Sequence, residues 1–139
     1  GHPLGAAAGL ANLDILEREK LTENARDTGS YLQEKFKNSF EDHPLVGEVR
    51  GVGLLLALEF VADKSKKLRF DASWKVGAKV SAACLEQNLI ARAMPDGDIL
   101  GFAPPLSITK KEVDEIVTRT TKALNSVADK LTKEYSWKG

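Results

Sequence analysis

The spacing of hydrophobic residues over the first forty positions predicts a long helix whose two halves differ. In the second half, apolar side chains recur at intervals of four and seven, at Leu21, Ala25, Leu32 and Phe36. Such spacing gives a helix one apolar face. The first half instead concentrates glycine and alanine over residues 5–11, a surface that another backbone can approach closely. Charged residues around Lys20 separate the halves, so we expect a kink or a break there.

Two pairs of β-favouring runs predict two hairpins. Residues 46–50 and 54–61 flank Gly51-Val52-Gly53, and residues 89–93 and 99–103 flank Met94-Pro95-Asp96-Gly97, which suits a type I turn. A Gly-x-Gly segment such as Gly51-Val52-Gly53 can cradle a phosphate only where a helix follows it. Here a strand follows instead. We therefore interpret Gly51 and Gly53 as part of a hairpin or a bulged turn.

Two further helices are marked by capping signals. Between the hairpins, a broad apolar band runs from Trp74 to Leu85; Asp71 or Ser73 can cap its start, and Asn88 can adopt the left-handed conformation at its end. The last helix opens with a capping box, Thr109 to Glu112. Its apolar face then follows a helical repeat at Val113, Ile116, Val117, Thr120, Leu124, Val127 and Leu131.

The order of long helix, hairpin, helix, hairpin and helix predicts an α+β fold. We expect a small antiparallel sheet of about four strands, with helices on one face and a long helix before it. Residues 1–40 form that long helix and residues 41–139 the small α+β domain. A chain of 139 residues, 42% of them hydrophobic, fits one compact domain and leaves little room for a second.

Composition narrows the class of partner. Twenty basic residues balance twenty acidic ones, so no net field attracts nucleic acid or an anionic membrane. The longest strongly apolar run, residues 54–58, is far shorter than the roughly 18 residues that indicate a transmembrane helix. A single cysteine, Cys84, cannot form an internal disulfide, and we expect a cytoplasmic location.

Few side chains suggest chemistry. His2 and His43 lie beside prolines at element boundaries without metal-ligand spacing, so we expect no metal site. Arg92 is more informative, because strand alternation places it with Ile90 on one face at the rim of an apolar hairpin. It is either a surface arginine with its head in water or a bidentate clamp for a carboxylate. Arg50 allows the same two interpretations, with the structural one favoured.

Five segments, in their order along the chain, form a recognisable pattern. They are Gly1-His2-Pro3-Leu4, Leu13-Asp14-Ile15-Leu16-Glu17, Val49-Arg50-Gly51-Val52-Gly53-Leu54, Leu89-Ile90-Ala91-Arg92 and Phe102-Ala103-Pro104-Pro105-Leu106-Ser107-Ile108-Thr109. Together they resemble the C-terminal part of class III pyridoxal-phosphate aminotransferases over nearly the whole chain. The resemblance implies the small C-terminal domain of a fold-type I enzyme, joined by its long helix to a large domain that these residues do not include.

The resemblance also implies where the cofactor is held. In the family, the lysine that binds pyridoxal 5'-phosphate precedes the Gly-His-Pro motif, and no lysine here matches its motif. We therefore expect the cofactor in the full-length enzyme, none on this chain alone, and no catalytic residue within it. Gly1 and His2 are implied to lie near the cofactor or the dimer interface of a homodimer or a dimer of dimers.

Two positions suggest a subgroup. Many relatives that act on α-amino-acid-like substrates have an arginine where this chain has Gly101, and Arg92 stands where the amine:pyruvate, or ω-transaminase, branch has a flexible arginine. The resemblance implies that Arg92 binds the carboxylate of pyruvate or alanine and swings aside for an amine. The implied reaction moves an amino group from an amine or ω-amino acid to pyruvate. Relatives often have glycine at the position of Lys20, which leaves the shape of the helix break open.

Two alternatives stay open at this point. Within the same family, an aminomutase or a decarboxylase is possible, and the need for pyruvate in turnover separates it from a transaminase. The alternative outside the family is a stand-alone α+β binding or interaction module whose hairpin edges accept a partner strand.

Overall fold

The computed structural model describes residues 1–95 and 98–139, which contain four α-helices, one 3-10 turn and four strands. The helices are α1 (Pro3–Arg18), α2 (Leu21–Phe40), α3 (Val76–Glu86) and α4 (Lys110–Tyr135), with the 3-10 turn at Ala72–Trp74. The strands are β1 (Val46–Val52), β2 (Leu55–Phe60), β3 (Arg92–Ala93) and β4 (Ile99–Phe102). The predicted turn at Asp96 and Gly97 lies outside the described residues.

The predicted break in the long helix is confirmed at Lys20. This residue adopts the left-handed conformation, with φ of 51°, between the end of α1 and the start of α2. Glycine tolerates that conformation, whereas a residue with a Cβ is destabilised in it by about 1–2 kcal/mol. The break therefore forms at a residue that does not favour it.

The four strands form one antiparallel sheet in the order β1-β2-β4-β3. β1 and β2 are joined by a tight turn in which Gly53 has a φ of +54°. The chain then passes through α3 before β3 and β4 form the second hairpin, with β4 placed beside β2. The predicted four-stranded sheet and the α+β class are confirmed.

One face of the sheet packs against the helices, and the other is open. Along β2, Leu56, Leu58 and Phe60 are buried, whereas the residues between them are exposed or half-buried. Phe36 of α2 joins the two layers, with its ring about 5.0 Å from that of Phe102 in an edge-to-face arrangement. The buried core also includes side chains of α3 and α4, among them Val76, Val80, Leu124 and Leu131.

The start of α3 differs from the prediction. Asp71 caps the short 3-10 turn, Lys75 takes the left-handed conformation, and α3 begins only at Val76. The true cap is Asp98, whose carboxylate accepts a hydrogen bond of 2.8 Å from the backbone N–H of Gly77. Because that cap comes from a residue distant in sequence, local signals place the helix start one turn too early.

The other helix ends agree with their signals. Asn88 has a φ of 56° just after α3, and the N–H of Leu89 bonds back to Cys84. At the start of α4, Thr109 and Glu112 form both hydrogen bonds of the predicted capping box. None of the helices in the described part of the chain is long and apolar enough to cross a membrane.

α1 contributes nothing to the core, because none of its residues is buried. Its leucines Leu4, Leu10 and Leu13 are between 55% and 73% exposed. α2, in contrast, buries Leu32 and Phe36 completely. The division between residues 1–40 and 41–139 stays a prediction.

Candidate functional site

The open face of the sheet carries a row of four aligned residues. Strand pairing places Arg50 of β1 opposite Ala57 of β2, Ala57 opposite Gly101 of β4, and Gly101 opposite Arg92 of β3. Directly paired residues project on the same side of a sheet. The row therefore has two small residues at its centre and an arginine at each end. With neighbouring strands about 4.8 Å apart, the two arginine Cα atoms are separated by roughly 14 Å.

These residues line a concave surface of about 660 Å³ on the open face. Most of its lining is apolar or small and includes Val52, Leu55, Ala57, Ile90, Met94 and Gly101. Ile90 is 89% exposed, which is unusual for a large apolar side chain. An apolar surface with a few placed charges is typical of sites that bind small molecules.

The two arginines differ in electrostatic environment. The Arg50 guanidinium lies 2.6 Å from a carboxylate oxygen of Glu48 and 2.5 Å from one of Glu59. The hydrogen bond to Glu59, supported by the one to Glu48, raises the pKa of Arg50 above its usual value. Its charge is thus compensated within the sheet, which supports the structural interpretation of this residue.

Arg92 has no such compensation in the part of the chain that the structure describes. It is exposed on β3, and within residues 1–95 and 98–139 no carboxylate lies within ion-pair distance of its guanidinium. Ile90 and Arg92 both line the concave surface, as the strand alternation predicted. An uncompensated guanidinium beside apolar lining can form a bidentate contact with a carboxylate.

The other candidate residues lie elsewhere. Gly1 and His2 are exposed at the start of α1 and do not line the surface that contains Arg92. His43 is half-buried, with its Nδ1 accepting a hydrogen bond from the N–H of Leu45 and its Nε2 facing Asn125. Burial lowers the pKa of His43, which favours the neutral ring. His43 therefore has a structural role in the loop that follows α2.

The thiol and the acidic groups add no further site. Burial raises the pKa of Cys84 to about 11, so its thiol stays protonated and unreactive near neutral pH. Among the described residues, no three His, Cys, Asp or Glu side chains are grouped to hold a metal ion.

Sequence patterns alone did not single out Ala57 and Met94. Ala57 matters because β4 lies beside β2, and local patterns do not reveal which strands become neighbours. Met94 matters because its methyl group lies over Gly101. The predicted hairpin places Met94 close to Arg92, and this proximity is the sequence signal that could have pointed to Met94.

Comparison with known proteins identifies the family. The model of the family "Aminotransferase class-III" matches residues 1–124. This chain belongs to the class III aminotransferases. The resemblance in the five sequence segments is therefore confirmed.

Individual relatives are transaminases. The chain is 64% identical over 134 residues to a diaminobutyrate–2-oxoglutarate transaminase of Halomonas elongata, an alignment that covers 96% of this chain and 29% of that protein. It is 41% identical over 129 residues to a putrescine–pyruvate aminotransferase of Pseudomonas aeruginosa, an alignment that covers 92% of this chain and 27% of that protein. This chain thus spans less than a third of the length of the relatives it matches.

Solved structures agree with the fold. A transaminase from directed evolution by ancestral reconstruction superposes with a TM-score of 0.93 at 69% identity, covering 94% of this chain and 29% of that one. A thermostable omega transaminase from Pseudomonas jessenii superposes with a TM-score of 0.87 at 39% identity, covering 94% and 28%. The α+β arrangement is therefore that of the matching segment of these transaminases.

Among the described residues, no lysine lines the surface that contains Arg92, so this surface offers no amine for a Schiff base with pyridoxal phosphate. A lysine that forms a Schiff base needs a lowered pKa. The two half-buried lysines show the opposite: hydrogen bonds to Tyr31 and Asp114 raise the pKa of Lys35, and Tyr135 raises that of Lys79. Neither lysine lines the surface that contains Arg92.

Proposed function

We propose that this chain is the small domain of a class III aminotransferase that moves an amino group from an amine or ω-amino acid to pyruvate. Family membership supports the reaction class, and similarity to a putrescine–pyruvate aminotransferase supports the pair of substrates. The observation that carries the proposal is that the two arginines on the open face differ in how their charges are compensated. Arg50 is neutralised by two glutamates, whereas Arg92, beside the same apolar surface, has no carboxylate within ion-pair distance in residues 1–95 and 98–139.

Arg92 would recognise the carboxylate of the keto acid. The planar guanidinium can hold both carboxylate oxygens, a contact stronger than a neutral hydrogen bond. The apolar lining from Leu55, Ala57 and Gly101 offers no competing polar group to the rest of the molecule. For an amine without a carboxylate, Arg92 can extend into water, since its position on the exposed strand leaves it room to move.

The cofactor and further groups would come from outside these residues. Pyridoxal 5'-phosphate supplies an electron sink in enzymes of this class. In the proposed enzyme it would be held by the large domain, with Gly1 and His2 near the cofactor or the interface of a homodimer or a dimer of dimers. The chain alone would then bind no cofactor and catalyse no reaction. The expected cytoplasmic location stays a prediction.

A second candidate acceptor is 2-oxoglutarate, because the relative from Halomonas elongata, 64% identical to this chain, is named for that keto acid. Both keto acids carry a carboxylate next to the carbonyl, which is the group that Arg92 would bind. Comparing turnover with pyruvate and with 2-oxoglutarate separates the two acceptors without changing the role of Arg92.

The proposal is tested in the longer enzyme that contains this chain, loaded with aminated cofactor. Single-turnover reoxidation by pyruvate is compared between wild type and Arg92→Ala. A slowing of about a hundredfold is expected, which corresponds to about 2.7 kcal/mol for a lost charge-assisted contact. The half-reaction with an amine that lacks a carboxylate should change much less.

A matched control is Arg26→Ala, which removes an exposed arginine of α2 that is paired with Asp27 and lies outside the concave surface. It should leave both half-reactions unchanged. If Arg92→Ala reoxidises within twofold or threefold of wild type, the carboxylate is bound elsewhere and the assignment to the amine:pyruvate branch is withdrawn.

A further inference from the structure

Gly101 is buried although it lies on the open face of the sheet. The cover is Met94: a Cβ placed on Gly101 would lie 2.5 Å from Met94 Cε and 3.8 Å from its Sδ. The thioether therefore fills the space that a side chain at position 101 would need. Met94 itself is 39% exposed, so it borders both the sheet and the concave surface.

The same space is within reach of Arg92. Gly101 is the direct partner of Arg92, and the N–H of Met94 continues the pairing with a 2.9 Å hydrogen bond to Ile99. Arg92 and Met94 are thus two residues apart on an extended strand and project to the same side. Arginine tends to lay its aliphatic stem along apolar surface, and the space above Gly101 offers such a surface on the neighbouring strand. Two side chains cannot occupy it together.

We propose that Met94 is a positioning residue that lies over Gly101 and thereby keeps the Arg92 guanidinium extended toward the concave surface, where a keto-acid carboxylate binds. This inference rests on the proposed function, because it requires Arg92 to be the carboxylate-binding residue. Methionine suits the role since its unbranched, flexible side chain can fill the narrow space over Gly101, while Arg92 stays free to extend into water when a substrate without a carboxylate is bound. Gly101 is necessary to it, because any larger residue would displace the thioether.

The test again uses the longer enzyme and compares Met94→Ala with Met94→Leu. Loss of the thioether should raise the KM for pyruvate by about five- to tenfold with kcat within about twofold, because the guanidinium is less often in its binding position. Leucine has a similar volume and should restore most of the affinity. The half-reaction with an amine that lacks a carboxylate should change by less than twofold in both variants.

A double-mutant cycle separates positioning from direct contact. In the Arg92→Ala background, Met94→Ala should have no further effect on the KM for pyruvate, since Met94 acts through Arg92. If Met94→Ala has its full effect there, or raises the KM for the amine as much as that for pyruvate, the inference is wrong. If Arg92→Ala slows reoxidation by pyruvate but Met94→Ala leaves its KM unchanged, this inference alone fails. If Arg92→Ala has no effect, the proposed function fails with it.

Discussion

The buried threonines of α2 and α4 contrast in how their hydroxyls are satisfied. The Thr28 hydroxyl donates a 2.9 Å hydrogen bond to the side-chain oxygen of Asn24. The Thr120 hydroxyl, buried in the core, has no hydrogen-bond partner among the described residues. A buried hydroxyl without a partner destabilises a fold, whereas a methyl group of similar shape does not.

Thr120→Val should therefore stabilise the protein by about 1 kcal/mol, measured by urea unfolding. Thr28→Val is the matched control, because the same substitution there removes a hydrogen bond and leaves the Asn24 oxygen without it. That variant should be destabilised by about 1 kcal/mol. Equal shifts in the two variants would show that the Thr120 hydroxyl is satisfied in solution.

His43 makes the stability of the fold depend on pH, with stability decreasing as the pH falls. Burial lowers the pKa of His43 below its usual value of 6.5, assisted by the nearby Lys64 charge and opposed by the hydrogen bond to Asn125. The folded state thus binds the proton more weakly than the unfolded state. The contribution of His43 to stability is complete above about pH 6.5 and declines as the pH falls through that value.

Urea unfolding of wild type and His43→Gln between about pH 7.5 and pH 5.5 measures this contribution. Wild type should lose more stability than the variant over that interval, because glutamine does not titrate. Parallel pH profiles in the two proteins would mean that His43 is as easily protonated folded as unfolded.

At the scale of elements, Lys20 is the residue that joins α1 to α2, and its left-handed conformation suggests a direct test. Lys20→Gly should stabilise the protein by up to about 1 kcal/mol, since glycine adopts positive φ without a steric penalty. Thermal unfolding measures the effect.

The control is the same substitution inside a helix. Lys37→Gly lies within α2, where glycine lowers helix stability by about 1 kcal/mol. The two variants should shift the unfolding temperature in opposite directions. A decrease in both would mean that α1 and α2 are joined by a different conformation in solution.

The elements were predictable from sequence wherever their signals are local. The capping box at Thr109 and the left-handed Asn88 are each specified within a few residues, and both occur as predicted. The start of α3 was misplaced because its cap, Asp98, comes from the segment before β4. Of the strand predicted over residues 89–93, the described residues show pairing at Arg92 and Ala93, since Leu89 still completes the end of α3.

At the scale of the whole molecule, the site depends on which strands become neighbours. Alternation in single strands placed Arg92 on the correct face, and the resemblance drew attention to Gly101. Neither could show that Ala57 lies beside Gly101, or that Arg50 ends the same row with its charge neutralised. These relations arise only when β4 inserts beside β2, a long-range pairing without a local signal.

The exposed surfaces of the molecule agree with a domain that works with other parts of a protein. α1 has no buried residue, and the open sheet face exposes Leu55 and Ile90. In the proposed enzyme, the large domain would border the concave surface and supply the rest of the substrate pocket. The role that we propose for this chain is recognition of the carboxylate by Arg92.

The most direct test of that role compares pyruvate with acetaldehyde, which lacks the carboxylate, as acceptors for the longer enzyme. The ratio of their kcat/KM values is measured in wild type and in Arg92→Ala. We expect the preference for pyruvate to fall by about a hundredfold in the variant, with the value for acetaldehyde almost unchanged. An unchanged ratio would show that Arg92 does not recognise the carboxylate.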